Sequence, residues 1–167
     1  DRLRPYFGKC LATMKAMKHL DLESKDGKAP GGFMYPLYEI GVPFIYMNAV
    51  GSQRDVVTMM HEGGHAVHSF LCRDLSMTEF KSTPSEVAEL ASMSMELLSM
   101  DHWDVFYADN SELKRAKLEQ LEKALERLPW VASIDKFQHW IYTNKHTAKQ
   151  RKEKWLEISA KLGNQII

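Results

Sequence analysis

The sequence predicts a mainly α-helical fold with a small antiparallel β element, and three observations lead to that prediction. Apolar residues recur at spacings of three and four through most of the 167 residues, which is typical of helices that bury one face. Helix start signals precede several of these stretches. The period changes over 33–50, where aromatic and β-branched residues form two short runs, and we therefore expect strands there.

The first third of the chain reads as a helix, a loop and two strands. A helix is predicted over 6–20 because apolar residues form a stripe at helical spacing. That stripe consists of Phe7, Cys10, Leu11, Met14 and Met17. The polar, glycine-rich segment 21–32 is predicted to be a loop. Two strands follow on either side of Ile40-Gly41 and can form a hairpin, with Pro36 and Pro43 suited to an edge strand or a strand start.

Two helix starts lie in the centre of the chain. Ser52 is a candidate N-cap with Asp55 three residues later, an imperfect capping box that opens a helix over about 53–73. The second start is the tetrapeptide 83–86. It places Thr83 at the N-cap, Pro at the first helical position and Glu at the third, which predicts a helix running to about Met100.

Three further helices are predicted in the last third. A charged helix covers 110–128 and is interrupted by Pro129, and the apolar stretch 130–142 predicts a buried helix. A capping box over 147–150 then opens a final helix that ends near Gly163. Since no repeat and no domain boundary is visible, we expect residues 1–167 to form a single segment.

Composition excludes several classes of protein. The 22 Lys and Arg residues balance 22 Asp and Glu residues, so no net field gathers nucleic acid or an anionic membrane. No apolar run approaches the roughly 20 residues that span a bilayer. The two cysteines, Cys10 and Cys72, are too few for a disulfide framework and fit a reducing compartment. We therefore expect a cytoplasmic globular protein with no nucleic-acid or membrane partner.

Residues 61–65 read His-Glu-Gly-Gly-His and carry the chemistry of the sequence. Positions i and i+4 of a helix lie on one face, so His61 and His65 can aim their imidazoles at one point. Neutral imidazole is a good ligand for Zn²⁺ at about 2.0–2.1 Å. Glu62 points beside that ion rather than at it, where a carboxylate can take a proton from a water on the metal. The alternative is a pair of core histidines with no ligand.

Two glycines separate the histidines. Gly63 and Gly64 lie inside the predicted helix, where each costs about 1 kcal/mol relative to Ala. A helix without a function would rarely carry both. A helix face that lacks Cβ atoms allows a metal, a substrate or another backbone to approach closely.

A third ligand is expected on the following helix. Glu86, Glu89, Met93 and Glu96 fall on one stripe, and three carboxylates on a stripe that also holds a methionine need charged partners. A divalent ion and its histidines would supply them. Glu89 is the candidate ligand, while Glu86 and Glu96 can orient the ligating histidines from behind. The alternative is that they are ordinary helix carboxylates, with Glu86 completing the capping box.

The segments HEGGHAVH and PSEVAELASMSMELL resemble the oligoendopeptidase F and thimet oligopeptidase group of zinc endopeptidases, and residues 20–65 resemble the oligoendopeptidase F branch. The resemblance implies a helical zincin-type core that binds one Zn²⁺ ion through His61, His65 and Glu89. Glu62 would be the general base, and Glu86 matches an acidic residue behind the ligands. The substrates would be short peptides, cleaved at internal bonds within a channel.

The resemblance also implies a substrate-binding strand. In this interpretation a strand lines the cleft and pairs its edge with the backbone of the peptide. The residues concerned are Phe44, Ile45, Tyr46, Met47 and Asn48.

One departure from the family concerns length. Family members are much longer and carry, beyond this region, His and Tyr side chains that steady the tetrahedral oxyanion. We therefore expect residues 1–167 to be the zinc-binding part of a larger catalytic domain, which binds metal but hydrolyses peptides poorly on its own. Its exposed apolar surface would contact either the remainder of that domain or a second copy. The alternative is a non-catalytic module with a structural metal, or with helices that serve an assembly.

Overall fold

The computed structural model describes residues 2–163 and is mainly helical with one small sheet, as predicted. The elements in chain order are α1 (Pro5–Ala16), β1 (Leu20–Glu23), β2 (Gly32–Tyr35), β3 (Phe44–Ala49), α2 (Gln53–Cys72), α3 (Thr78–Lys81), α4 (Ser85–Ser99), a 3₁₀ helix (Met100–Val105), α5 (Asn110–Thr143) and α6 (Ala148–Leu162). The chain divides after Leu113 into two compact units. The first holds the sheet and α1–α4, and the second holds most of α5 and all of α6.

The sheet has three strands in the order β1-β3-β2. β2 and β3 run antiparallel, with Gly32 opposite Met47, which confirms the predicted antiparallel element. β1 joins the other side of β3 in parallel, with Leu20 opposite Ile45. β1 occupies the start of the segment predicted as a loop, because a four-residue strand is too short to produce a period that the sequence reveals.

β3 is the central strand of the sheet, not an edge. Since both of its sides are paired, no peptide can add to Phe44, Ile45, Tyr46, Met47 or Asn48 as a further strand, and this part of the sequence prediction is wrong. Its apolar side chains instead turn inward, with Ile45 and Met47 buried. The free edges of the sheet belong to β1 and β2.

The core of the first unit lies where α1, β3 and α2 meet. Its buried members are Cys10, Met14, Val42, Ile45, Met47, Ala66, Val67 and Phe70. Three of these residues come from the last two turns of α2, which follow the His-Glu-Gly-Gly-His motif. One face of that helix is thereby fixed against the core, which leaves the motif face to carry polar groups. Both cysteines are free thiols.

The start of α2 follows the sequence prediction, and that of α4 differs. The Asp55 carboxylate accepts hydrogen bonds from the backbone N–H groups of Ser52 and Val50, so the Ser-Asp capping box is present. α4 begins at Ser85, and Pro84 is its N-cap with no side-chain cap. The helix therefore begins one residue later than predicted, and the capping box predicted around Thr83 is wrong. A shift of one or two residues is common at helix starts.

The second unit consists of a helical hairpin. α5 runs through Pro129 without a break, so the predicted division into two helices is wrong. α6 begins with the predicted capping box at Thr147. Aromatic rings of α5 pack against Trp155 of α6, with centroids 6.0 Å away for Trp130 and 5.1 Å for Phe137. Among residues 2–163, no helix combines the length and apolarity needed to cross a membrane.

Candidate metal centre

α2 presents the two histidines of its motif side by side. The rings of His61 and His65 lie 4.9 Å apart between centroids and are nearly perpendicular, as expected one turn apart on a helix. Glu89 of α4 faces both rings. Its carboxylate oxygens lie 3.2 Å from Nε2 of His61 and 3.6 Å from Nε2 of His65.

These three side chains fit a single tetrahedral ion. Their candidate ligand atoms all lie within 4.8 Å of one another. Ligands at 2.0–2.1 Å from a tetrahedral zinc are separated by about 3.4 Å, which is close to the two distances from Glu89. The Glu89 side chain is 48% exposed, so one side of the cluster is open to solvent. Two imidazoles, one carboxylate and one open position are the donor set of a catalytic zinc site.

Glu96 lies beside His61, on the side of its Nδ1. Its carboxylate is 1% exposed, and its Oε1 lies 2.6 Å from Nδ1 of His61. A proton on Nδ1 that is donated to Glu96 leaves Nε2 bare on the side of Glu89. In that tautomer Nε2 can bind a metal, which is the arrangement usual for a carboxylate behind a ligating histidine.

Glu86 is not brought to the cluster. It is exposed on the first turn of α4, and within residues 2–163 it makes no hydrogen bond or ion pair with His61 or His65. The role predicted for it behind a histidine therefore has no contact to support it. The reason is its position, because Glu89 and Glu96 already occupy the part of α4 that faces α2.

Ser92 is a residue of the cluster that sequence reasoning missed. Its hydroxyl is fully buried and lies 3.1 Å from Oε2 of Glu89 and 3.0 Å from the Glu89 carbonyl oxygen. A hydrogen bond from a hydroxyl to a carboxylate holds the carboxylate in one orientation. The signal was the spacing, since a residue three positions after Glu89 lies on the same face of α4.

Glu62 lies beside the cluster and is not one of its ligands. The side chain is buried, and the burial raises the pKa of its carboxyl. The backbone N–H of Met34 hydrogen-bonds to that carboxylate and works in the opposite direction. Because Met34 belongs to β2, Glu62 lies at a free edge of the sheet. A carboxyl with a raised pKa accepts a proton more readily near neutral pH.

Their surroundings shift the pKa values of the two histidines in opposite directions. The hydrogen bond to Glu96 raises the pKa of His61, although burial opposes it. Burial lowers the pKa of His65, and the nearby charge of His61 adds to that effect. A lowered pKa favours the neutral imidazole, which is the form that coordinates a metal.

Comparison with known proteins gives consistent matches. The profile of peptidase family M3 matches residues 12–167. The plasmid-encoded oligoendopeptidase F of Lactococcus lactis subsp. cremoris is 29% identical over 93 residues, which is 56% of this chain and 15% of that protein. Oligopeptidase PepF of Bacillus subtilis is 27% identical over 128 residues, 74% of this chain and 18% of that protein.

Solved structures with the same fold are similar to the chain as well. A Bacillus anthracis protein assigned as an oligoendopeptidase F superimposes with a TM-score of 0.87 at 30% identity, over 96% of this chain and 29% of that one. PZ peptidase A with a bound inhibitor gives a TM-score of 0.86 at 31% identity, over 97% of this chain and 29% of that one. The chain thus spans less than a third of each of these proteins.

Proposed function

The chain belongs to peptidase family M3, and from that premise we propose that it is the zinc-binding part of an oligoendopeptidase that hydrolyses internal bonds of short peptides. His61, His65 and Glu89 would hold one Zn²⁺ ion, and Glu62 would act as general base. The single observation that carries the proposal is the convergence of two imidazoles and one carboxylate from a later helix within 4.8 Å.

Each residue of the cluster has a defined task in this proposal. A divalent zinc ion, when bound, polarises the scissile carbonyl and lowers the pKa of water towards 7. Glu62, buried at the edge of β2, accepts a proton from the attacking water and delivers it to the leaving amine. Glu96 fixes the His61 ring, and Ser92 fixes the Glu89 carboxylate. The free edge of β2 offers backbone groups that can align an extended peptide.

Zinc binding by the 167-residue chain tests the ligand set. Stoichiometry and affinity are measured by competition with a chelator for the parent chain, His61→Ala and Glu89→Ala. We expect one ion per chain, and we expect both variants to lose tight binding. His139→Ala is the matched control, because His139 is an exposed histidine on α5. Parent-like zinc affinity in Glu89→Ala would remove Glu89 from the site.

Peptide hydrolysis tests the role of Glu62. An internally quenched peptide is incubated with a longer protein that contains these residues and with its Glu62→Gln variant. We expect the variant to keep its zinc and to lose at least about a hundredfold in turnover. Turnover by Glu62→Gln close to the parent value would show that another group takes the proton.

A non-catalytic module remains the second candidate, because α4 exposes several large apolar side chains. These are Val87, Leu90, Leu97 and Leu98. Such residues suit an assembly surface. X-ray absorption spectroscopy of the zinc-loaded chain separates the two functions: three protein ligands plus a water oxygen support the peptidase, whereas four protein ligands support a structural site.

A further inference from the structure

A cavity adjoins the candidate metal centre. It has a volume of about 170 Å³ and shares His65 with the centre. Its walls come from β2 and the residues that follow it, from the motif face of α2, from 81–83 and from α4. The residues that matter for what it binds are His68, Ser69, Lys81, Ser82 and Thr83. All of them belong to the first compact unit.

Lys81 is the charged group of this cavity. It ends α3 and is partly buried. Within residues 2–163 its ammonium group has no hydrogen-bond or ion-pair partner. A partly buried ammonium group without a partner can form a charge-assisted hydrogen bond with an anion.

The rest of the lining matches an anion as well. The hydroxyl groups of Ser69, Ser82 and Thr83 can donate hydrogen bonds, and no aspartate or glutamate lines the cavity. No carboxylate of the lining therefore competes for the Lys81 ammonium group. A carboxylate placed in the cavity would meet one ammonium and several hydroxyl donors, which is the environment that stabilises a carboxylate.

We propose that this cavity is a specificity subsite for a carboxylate of the bound peptide, with Lys81 as its charged partner. The carboxylate is supplied either by an aspartate or glutamate side chain close to the cleaved bond or by the free C-terminus of a short peptide. The inference rests on the proposed function, because the group next to His65 is a substrate group only if the chain holds a peptide there.

Matched pairs of peptides test the subsite without requiring turnover. The probes are peptides capped at both ends in which a reduced bond replaces one amide, with a single Glu or Gln placed at each position in turn. Binding to the chain, metal-free and zinc-loaded, is measured by isothermal titration calorimetry. A hydrogen-bonded charge pair predicts that at one position the Glu peptide binds about tenfold more tightly than its Gln partner.

Variants of Lys81 assign the preference to this residue. We expect Lys81→Met to abolish the preference for Glu and Lys81→Arg to keep most of it. Lys15→Met should leave the preference unchanged, because Lys15 is an exposed lysine of α1 that does not line the cavity. Circular dichroism and zinc affinity establish that each variant is folded. A second peptide pair, with Gln at every position and either a free or an amidated C-terminus, identifies the C-terminal carboxylate if that is the group bound.

The outcomes separate this proposal from the proposed function. Equal binding of every Glu and Gln pair and of both C-terminal forms would overturn the subsite, and so would a preference that survives in Lys81→Met. Zinc affinity, measured on the same protein, tests the metal centre independently. A chain that binds zinc without distinguishing the peptides supports the metal centre and overturns the subsite. A Lys81-dependent preference in a chain that does not bind zinc supports the subsite and overturns the metal centre.

Discussion

Gly64 of α2 and Ser92 of α4 meet backbone to backbone. A Cβ added to Gly64 would lie 2.8 Å from Cα of Ser92 and 3.0 Å from the carbonyl oxygen of Ala91, closer than real Cβ atoms approach. The neighbouring Gly63 differs, because a Cβ there would meet nothing within 4 Å. Gly63 instead lines an apolar cavity of about 280 Å³. One glycine of the motif therefore sets how close α4 comes to the histidines, and the other does not.

This difference predicts opposite effects of the same substitution. Gly64→Ala should lower the free energy of unfolding by about 2 kcal/mol, because the clash is with backbone and outweighs the gain in helix propensity. Gly63→Ala should raise it by up to about 1 kcal/mol, since that gain is unopposed. Urea unfolding followed by circular dichroism measures both values. Equal effects of the two substitutions would show that the close backbone contact between Gly64 and α4 does not limit the side chain at position 64.

The glycines also show how far the sequence could predict the site. Their position between two histidines indicated a close approach by a metal, a substrate or another backbone, and the structure shows that at Gly64 the neighbour is the backbone of α4. The spacing of His61 and His65 placed them on one face, because helical geometry is local. What approaches that face depends on tertiary packing, which the spacing within one helix does not encode. The central place of β3 was missed for that reason, whereas the contact of Ser92 with Glu89 lies within one helix and its spacing was available in the sequence.

The contact between Glu96 and His61 predicts a specific change in metal affinity. Glu96→Gln removes the charge that holds the Nδ1 proton of His61 but keeps the shape of the side chain. Partners of ligating histidines typically contribute a factor of about 10–100 to metal affinity. We therefore expect zinc to bind about 10–100 times more weakly, as measured by chelator competition at pH 7.

Glu86→Gln is the matched control for that experiment. Both glutamates lie on the stripe that the sequence singled out, but Glu86 is exposed and has no contact with the histidines. Its substitution should leave zinc affinity within about twofold of the parent, the effect of a distant exposed charge. If Glu86→Gln weakened zinc binding as strongly as Glu96→Gln, the effect would come from the overall negative charge of α4 and not from the hydrogen bond to His61.

The capping box of α2 predicts a stability that depends on pH. Burial alone would raise the pKa of Asp55, but hydrogen bonds from the backbone N–H groups of Ser52, Val50 and Gly51 outweigh it and hold the pKa below its ordinary value. A lowered pKa means that the contribution is complete above the ordinary pKa and is lost as the pH falls through the lower folded value. Asp55→Asn should therefore cost about 1 kcal/mol at pH 7.

Comparison across pH separates this effect from a general loss of packing. The difference in unfolding free energy between the parent and Asp55→Asn should shrink as the pH falls from about 4 through the lowered folded pKa of Asp55, because both side chains are neutral once that carboxyl is protonated. Asp135→Asn is the control, because Asp135 is exposed in the middle of α5 and is expected to change stability little at either pH. A difference that stayed constant down to pH 2 would mean that the charge of Asp55 does not stabilise the start of α2.

Pro129 predicts a weak point inside α5. The sequence indicated a break there because proline lacks the N–H that would reach the carbonyl of Leu125, yet the helix continues. The Ser133 hydroxyl donates to the Pro129 carbonyl oxygen at 2.7 Å. Proline in a helix interior costs about 3 kcal/mol relative to alanine.

Pro129→Ala should therefore stabilise this part of α5, and amides around residues 125–133 should exchange hydrogen more slowly. Ala124→Pro, in the same helix, should have the opposite effect. Unchanged or faster exchange in Pro129→Ala would show that the helix has already adapted to its proline and that removing it relieves nothing.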